Sequence, residues 1–324
     1  MRAAWYEKQG PAREVLVVGE MPDPIPGAGE VRIRIAASGV NPGDIKKRQD
    51  AFSYGMPYPR VIPHSDGAGH VDVVGAGVPT SWLHQRVWCY GAQSYRPFGT
   101  AAEYTIVPIG QVVAMPEGIS LEQGACLGIP GITAHRAVHV AGDVDGRTVL
   151  VQGGSGAVGL CAVQLARQAG ALVIATVRSE ADTNTARTAG AHHVVVAGQD
   201  LPDRVRMLAP TGIDHIVEVA FAANLETDLD MLALGGSIAT YATDAPAPSI
   251  PVWPLIFKNI RLMFLGSDDF PPEAKAAAAH ALNDALERGW RGFEIAETFS
   301  LSDIVASHER VEHPIRRGRV LVIP

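Results

Sequence analysis

Gly154, Gly156 and Gly159 stand in the spacing G-x-G-x-x-G, directly after an apolar β-type run, Thr148 to Gln152, and before a helical pattern, Ala157 to Gln168. That order suits one task above others, which is holding a pyrophosphate. The first glycines permit a tight turn and let backbone N–H groups approach an anion. The third lets the helix pack close to the strand, and the helix N-terminus adds unpaired N–H groups and partial positive charge. Val158, Ala162, Leu165 and Ala169 fall on roughly one helix face, as packing on a sheet requires. Candidate contacts at this turn are Gly153, Gly154, Ser155, Gly156, Ala157, Val158 and Gly159. Such glycines also occur in ordinary turns, so the strand before and the helix after carry the reading.

The next strand, Leu172 to Val177, sets the choice of nucleotide. A dinucleotide site for NAD usually presents a carboxylate there to the ribose 2′-hydroxyl. Here Thr176, Arg178 and Ser179 occupy the strand end, and the first acid is Glu180. An arginine pairs with a 2′-phosphate through charge-assisted hydrogen bonds, which points to NADPH. The competing reading of Arg178 is a solvated loop arginine. Tyr241 and Thr243, after the strand Ser237 to Tyr241, and Phe264, Leu265 and Gly266, ending the strand Ile260 to Leu265, are further candidate contacts. They fall at carboxyl ends of parallel strands, where open α/β sheets bind ligands. Glu218 lies near the same edge, either facing the ligand or paired with a neighbour.

Metal chemistry has little to work with. Cys89, Cys126 and Cys161 have no short paired spacing, and their odd number in an apolar setting suggests reduced thiols. His64 has no thiolate or second imidazole in register. His135 and His139 have the i, i+4 spacing of H-E-x-x-H, but Arg136 replaces the glutamate and would repel a cation. His192 and His193 are adjacent at a strand start, so their side chains point to opposite faces.

The elements that must position these residues fall into two regions. Up to about residue 120, short β-type runs (Val15 to Val18, Val31 to Ile35, Val71 to Val74, Val87 to Tyr90, Tyr104 to Val107) are split by turn residues and read as an all-β unit. Past Leu121 the rhythm becomes alternating helices and strands, which predicts a parallel sheet. Helices are expected at Leu121 to Cys126, Thr133 to Val140, Ala181 to Ala189, Leu201 to Leu208 and Leu225 to Leu232. Further strands are expected at His193 to Val196 and Ile213 to Val219. The chain closes with an alanine-rich helix, Pro272 to Arg288, a short helix near Leu301 to Arg310, and a strand, Arg319 to Ile323.

With 324 residues, 47% of them hydrophobic, the chain can bury a large core and divides most naturally into two domains. Its net charge of −7 has the wrong sign for a protein whose main partner is nucleic acid. The N-terminal MRAAWYEKQG lacks the apolar run of a signal peptide, and no later stretch offers the ~18 apolar residues of a membrane span. A cytoplasmic protein that engages no membrane is the expectation.

Several motifs then coincide in order: NPGD at Asn41 to Asp44, HSDGAG at His64 to Gly69, GIPGITAHRAV at Gly128 to Val138, VQGGSGAVGLCAVQLAR at Val151 to Arg167, and GIDHIVEVAFAANLETDLDMLALGG at Gly212 to Gly236. Together they resemble the zinc-free quinone oxidoreductase (zeta-crystallin-like) branch of the medium-chain dehydrogenase/reductase superfamily, along the whole chain. The resemblance implies an α/β protein: a GroES-like β-barrel substrate and catalytic domain, residues 1–122 and 268–324, and a Rossmann NADPH-binding domain, residues 123–267, with a cleft between them. It also implies a homodimer through the edge strand at 259–267. Zinc alcohol dehydrogenases carry catalytic cysteine and histidine ligands at the positions of Asn41 and Ser65, so the resemblance implies no zinc cage. It puts Asn41 near the nicotinamide ribose and substrate, and Thr133 beside the nicotinamide. Asn41 also reads as a turn residue before Pro42, and Thr133 as a helix N-cap.

Three positions depart from the pattern. Lys46 and Phe52 stand where some members have substrate-side tyrosines, while Tyr54 and Tyr58 lie in the same loop and either replace those hydroxyls or simply cover the β domain. Ala197 stands where some NADP-dependent relatives have a tyrosine, leaving Arg178 to compensate. The expected activity is zinc-independent, NADPH-dependent reduction of a small quinone or related conjugated carbonyl. Asn41, Tyr54 and Thr133 would be the catalytic residues, and Lys46, Phe52, Tyr58 and Ser65 would line the substrate. Rival readings are a reductase of activated C=C bonds, with Tyr54 or Tyr58 as the acid, and a nucleotide-binding protein without turnover.

Overall fold

The computed structural model describes residues 1–315 and 317–324. Two compact units divide the chain: Met1–Pro130 with Leu282–Pro324, and Gly131–Ala281.

The first unit opens with β1 (Arg2–Trp5), a one-turn α1 (Ala12–Val15) and β2 (Val17–Glu20), the two strands pairing antiparallel. Its main sheet begins with β3 (Glu30–Val40), whose Val31, Ile33 and Ile35 alternate inward, as a half-buried strand must. There follow α2 (Pro42–Arg48), β4 (Asp66–Val74), β5 (Arg86–Cys89), β6 (Tyr104–Pro108) and β7 (Val112–Ala114). The long α3 (Leu121–His139) begins in this unit.

In the second unit strands and helices alternate: β8 (Thr148–Val151), α4 (Ala157–Gln168), β9 (Leu172–Val177), α5 (Thr183–Thr188), β10 (His193–Val196), α6 (Leu201–Leu208), β11 (Ile213–Glu218), α7 (Phe221–Met231), β12 (Leu232–Thr240), α8 (Val252–Lys258) and β13 (Arg261–Phe264). The spatial order is β10-β9-β8-β11-β12-β13, every pair parallel. Counted within the unit this is 3-2-1-4-5-6, the dinucleotide-binding order, with its direction reversing between β8 and β11. Leu150 of β8 pairs with Ile174 of β9 and Ile216 of β11, and all three are fully buried in one core with Phe221 and Leu225 of α7. Parallel strands covered on both faces need such continuous apolar runs.

The chain then forms α9 (Pro272–Glu287), β14 (Ile295–Ser300), α10 (Ile304–Glu312) and β15 (Arg319–Ile323). β14 and β15 complete the first unit's sheet, in the order β14-β15-β3-β4-β5-β7, with β6 also on β3. Val31, Ile33, Val71, Val87 and Val107 fill its core. No helix among the described residues is long and apolar enough to cross a membrane.

Three local expectations need correction. The two helices expected at Leu121 to Cys126 and Thr133 to Val140 are one helix, α3, running through Pro130. A proline normally breaks a helix interior. Here the Asp66 carboxylate reaches the backbone just before it and accepts the Ile129 N–H at 2.8 Å, and Gly128 makes room, since a Cβ there would sit 2.1 Å from Asp66 Oδ1. Thr133 is therefore in mid-helix and not an N-cap. Val15 ends α1, so the first strand in that region starts at Val17. α7 begins at Phe221, and Leu232 is the first residue of β12.

Candidate active site

The glycine turn leaves β8 and enters α4 with Gly153 at φ +66°, in the left-handed region that favours glycine. Thr176, near the end of β9, takes both of the first N–H groups. Gly153 N–H donates to its hydroxyl oxygen at 3.2 Å and Gly154 N–H to its carbonyl at 2.7 Å. Gly156 N–H turns back onto the Gly153 carbonyl at 2.9 Å. The N–H groups of Ser155, Ala157, Val158 and Gly159 have no acceptor among the described residues. Four open donors at the N-terminus of a 12-residue helix form a site for an anion. Gly159 allows the close packing: a Cβ there would meet the Gly153 carbonyl oxygen at 2.2 Å. Gly153, Gly154 and Thr176 thus shape the turn, while Ser155 and Ala157 to Gly159 offer the donors.

Arg178 and Ser179 follow β9 directly and are exposed. Ser179 donates to Asp182 at 2.9 Å, whereas Arg178 makes no ion pair among the described residues. Tyr241, half-buried, donates its N–H to the Glu218 carbonyl at 3.3 Å. Thr243 is exposed and donates to the Ala245 carbonyl at 2.8 Å. Leu265 N–H reaches the Thr240 carbonyl at 2.9 Å, Gly266 is exposed, and Phe264 is 63% exposed with its ring edge-on to Phe221 at 5.2 Å. Glu218 resolves to its paired reading: it is buried and accepts from Ala220 N–H and, at 3.0 and 3.1 Å, from Asn224.

In the other unit, Asn41 precedes α2, its N–H donating to Asp44 at 2.8 Å. Its side chain is buried and held at both ends. Nδ2 donates to Asp66 Oδ2 at 2.7 Å, and Oδ1 accepts from Arg319 Nη2 at 2.8 Å. One N–H and one lone pair of the carboxamide remain. Burial raises Asp44 to about 7, partly offset by the Asn41 N–H and reinforced by the nearby Asp66 charge. Ser65 is buried beside this group, and Lys46 is half-buried on α2. The loop after α2 holds Phe52 and Tyr54 with ring centres 6.0 Å apart. Tyr54 is 88% exposed and its hydroxyl has no partner among the described residues, whereas Tyr58 donates to the Tyr95 carbonyl at 2.5 Å. Thr133, in the second unit, is buried within α3.

Sequence reasoning did not single out Asp66 or Arg319, although they position Asn41. Asp66 was visible only as part of HSDGAG, and Arg319 lies 278 residues from Asn41. No three His, Cys, Asp or Glu side chains among the described residues form a group able to hold a metal ion. All three cysteines are buried and free.

Residues 27–117 match the alcohol dehydrogenase GroES-like domain model, and 157–279 match the zinc-binding dehydrogenase model. A quinone oxidoreductase of Mus musculus is 33% identical over 299 residues, spanning 90% of this chain and 87% of its own. The chain belongs to the zinc-independent quinone oxidoreductase branch of the medium-chain dehydrogenase/reductase superfamily. As a quinone-oxidoreductase-family member it is an enzyme, an oxidoreductase. A mycobacterial protein solved with NADPH superimposes over the full length of both chains with a TM-score of 0.86 and 26% identity. An NAD-dependent alcohol dehydrogenase does so with 0.89 and 26%. The second family model is described by zinc, yet at Asn41 and Ser65, the positions at which the resemblance implies the zinc enzymes' ligands, neither side chain supplies a thiolate or imidazole.

Proposed function

We propose that this family member reduces quinones or related conjugated carbonyls by hydride transfer from NADPH, without zinc. The observation that carries the reading is the open N–H cradle of Ser155, Ala157, Val158 and Gly159, with Arg178 and no acid at the end of the neighbouring strand. These groups fit a pyrophosphate and a 2′-phosphate, matching the NADPH seen in the mycobacterial relative. When bound, NADPH supplies the hydride. The chain's own part is to orient the acceptor, exclude water and stabilise the developing oxyanion.

Asn41 has one N–H left for that oxyanion and is assigned to substrate and nicotinamide ribose, with Thr133 beside the nicotinamide. Tyr54, whose hydroxyl has no partner among the described residues, is the candidate proton donor, and Lys46, Phe52, Tyr58 and Ser65 line the substrate. The work divides between residues 1–122 with 268–324, taking substrate, and 123–267, taking NADPH. Net reaction consumes one NADPH and one proton per quinone and yields NADP and hydroquinone. Three buried free thiols suit a cytoplasmic protein.

A homodimer completes the proposal. β13 ends the six-stranded sheet, and Phe264 on it is exposed, as are Trp253 and Phe257 of α8, the helix that precedes it in the chain. An apolar open edge of this kind is covered when a second copy pairs with it about a twofold axis.

The test is oxidation of NADPH and NADH in EDTA against ortho- and para-quinones and α,β-unsaturated carbonyls, with products identified. NADPH consumption yielding hydroquinone supports the proposal. A saturated product with a new C–H bond would assign a C=C reductase, and bound NADPH without turnover a nucleotide-binding protein. Light scattering at twice the 34.3 kDa chain mass supports the dimer.

A further inference from the structure

His64 lies in the left-handed backbone region, at φ +76°, and is fully buried. Few side chains adopt that region, and histidine is among those that do. His308 of α10 meets it end to end: the two Nε2 atoms are 3.0 Å apart and the rings, 23° from parallel, have centres at 5.2 Å.

Donor and acceptor chemistry fixes every proton in this contact. Arg48, whose side chain is buried and ion-paired with Glu312, directs its Nε–H at His308 Nδ1 at 3.3 Å. A guanidinium has no acceptor, so His308 Nδ1 is bare and its proton is on Nε2. That proton points at His64 Nε2, so the His64 proton is on Nδ1 and donates to Ser38 Oγ at 2.8 Å. Ser38 and Thr100 hydroxyl oxygens are 2.7 Å apart, and Thr100 donates to the Asp66 carbonyl at 2.6 Å, so Ser38 donates to Thr100. The run begins at an obligate donor and ends at an obligate acceptor, with both imidazoles neutral. Burial favours those neutral forms, lowering His64 to about 3 and His308 well below its usual value.

A carbonyl passes no proton on, so this run is an anchor and not a proton route. What it anchors is Asp66, whose carboxylate holds the Asn41 Nδ2 and the Ile129 N–H. We propose that the His64–His308 pair, with Arg48 and Ser38, is a positioning device that sets Asn41 for the acceptor through Asp66. The inference rests on Asn41 contacting substrate.

Two measurements test it. In protein labelled with 15N at histidine, long-range proton–nitrogen correlations should show His64 as the neutral Nδ1–H form and His308 as the neutral Nε2–H form. The opposite tautomers, or a cationic ring at pH 7, would overturn the chain. Kinetically, Ser38→Ala and His308→Leu should each lower kcat and raise the acceptor KM, together about tenfold or more in acceptor kcat/KM. His308→Gln, which can accept from Arg48 and donate to His64, should recover most of the loss. A merely structural role would reduce the folded fraction, lowering apparent kcat without moving the acceptor KM or distinguishing Gln from Leu at equal Tm. Acceptor kcat/KM within twofold of wild type in Ser38→Ala and His308→Leu overturns the proposal. Asn41→Ala, assayed in parallel, separates the two readings: if it loses activity while Ser38→Ala and His308→Leu do not, only the positioning role fails, and if it too is silent, the role of Asn41 fails with it.

Discussion

Gln152 donates its side-chain N–H to Asp228 Oδ1 at 2.7 Å, both residues buried beneath the glycine turn. The other end of the same carboxamide accepts from the Thr176 hydroxyl at 2.5 Å, and Thr176 in turn holds Gly153 and Gly154. Burial, and then the charge of Glu218, pushes the Asp228 carboxyl well up, while burial also raises Glu218. Both shifts favour the protonated form of the pair, which is how two carboxyl groups share one apolar interior.

Asp228→Leu should therefore act at a distance. It strands the Gln152 N–H in the interior at a cost of about 1–3 kcal/mol and frees Thr176 from its fixed orientation. Calorimetry should record a Tm several degrees lower, and NADPH KM should rise while acceptor KM stays. Asp228→Asn, whose side-chain oxygen still accepts from Gln152, should retain most of both.

Gly156 and Gly159 share a motif but not a role. Gly159→Ala puts a Cβ 2.2 Å from a backbone oxygen, a clash no side-chain motion relieves, so stability should fall by about 1–3 kcal/mol or more. At Gly156 the nearest atom to a new Cβ is 3.4 Å away. Gly156→Ala should melt like the parent protein yet bind NADPH more weakly, because the added methyl stands where the pyrophosphate approaches. Equal melting temperatures for the two variants would contradict this division.

Removing the Arg178 guanidinium should raise the KM for NADPH about tenfold or more and leave NADH nearly unaffected, since only NADPH has the 2′-phosphate. If Arg178→Ala weakens both cofactors equally, the arginine has another task.

His215 provides a pH signature in the second unit. Its Nε2–H donates to the Ala137 carbonyl at 2.6 Å, and its Nδ1 accepts from Ser237 at 2.8 Å, so the folded ring is neutral. Burial lowers it to about 4. Above the unfolded value, about 6.5, neither state takes up a proton. As the pH falls from there to about 4 the unfolded chain binds one first, removing stability that totals on the order of 3 kcal/mol. His215→Gln, which lacks that proton site, should melt below wild type at pH 7.5, and the gap should narrow at pH 4.5. A gap independent of pH would show that His215 titrates alike in both states.

The nucleotide half was legible because its signal is local. A strand, a glycine turn and a helix occupy about 20 consecutive residues and are read by one spacing rule. Alternating strands and helices likewise implied the parallel sheet found here. Where long-range contacts outweigh local preference, the sequence was a poorer guide. Two separate helices were expected, Leu121 to Cys126 and Thr133 to Val140, yet Asp66, over 60 residues away in sequence, supports the backbone beside Pro130 and α3 continues. His64 read as an isolated histidine with no ligand partner, because its true neighbour, His308, follows 244 residues later. By itself the sequence determined the glycine turn, the absence of zinc-ligand types at positions 41 and 65, and the basic end of β9, since each depends on residue type at adjacent positions. Only the tertiary structure decided which turn N–H groups stay open, and that Asn41 is clamped between Asp66 and Arg319. Hydrogen bonds form between atoms brought within about 3 Å, and folding brings distant residues that close without any spacing rule to announce it.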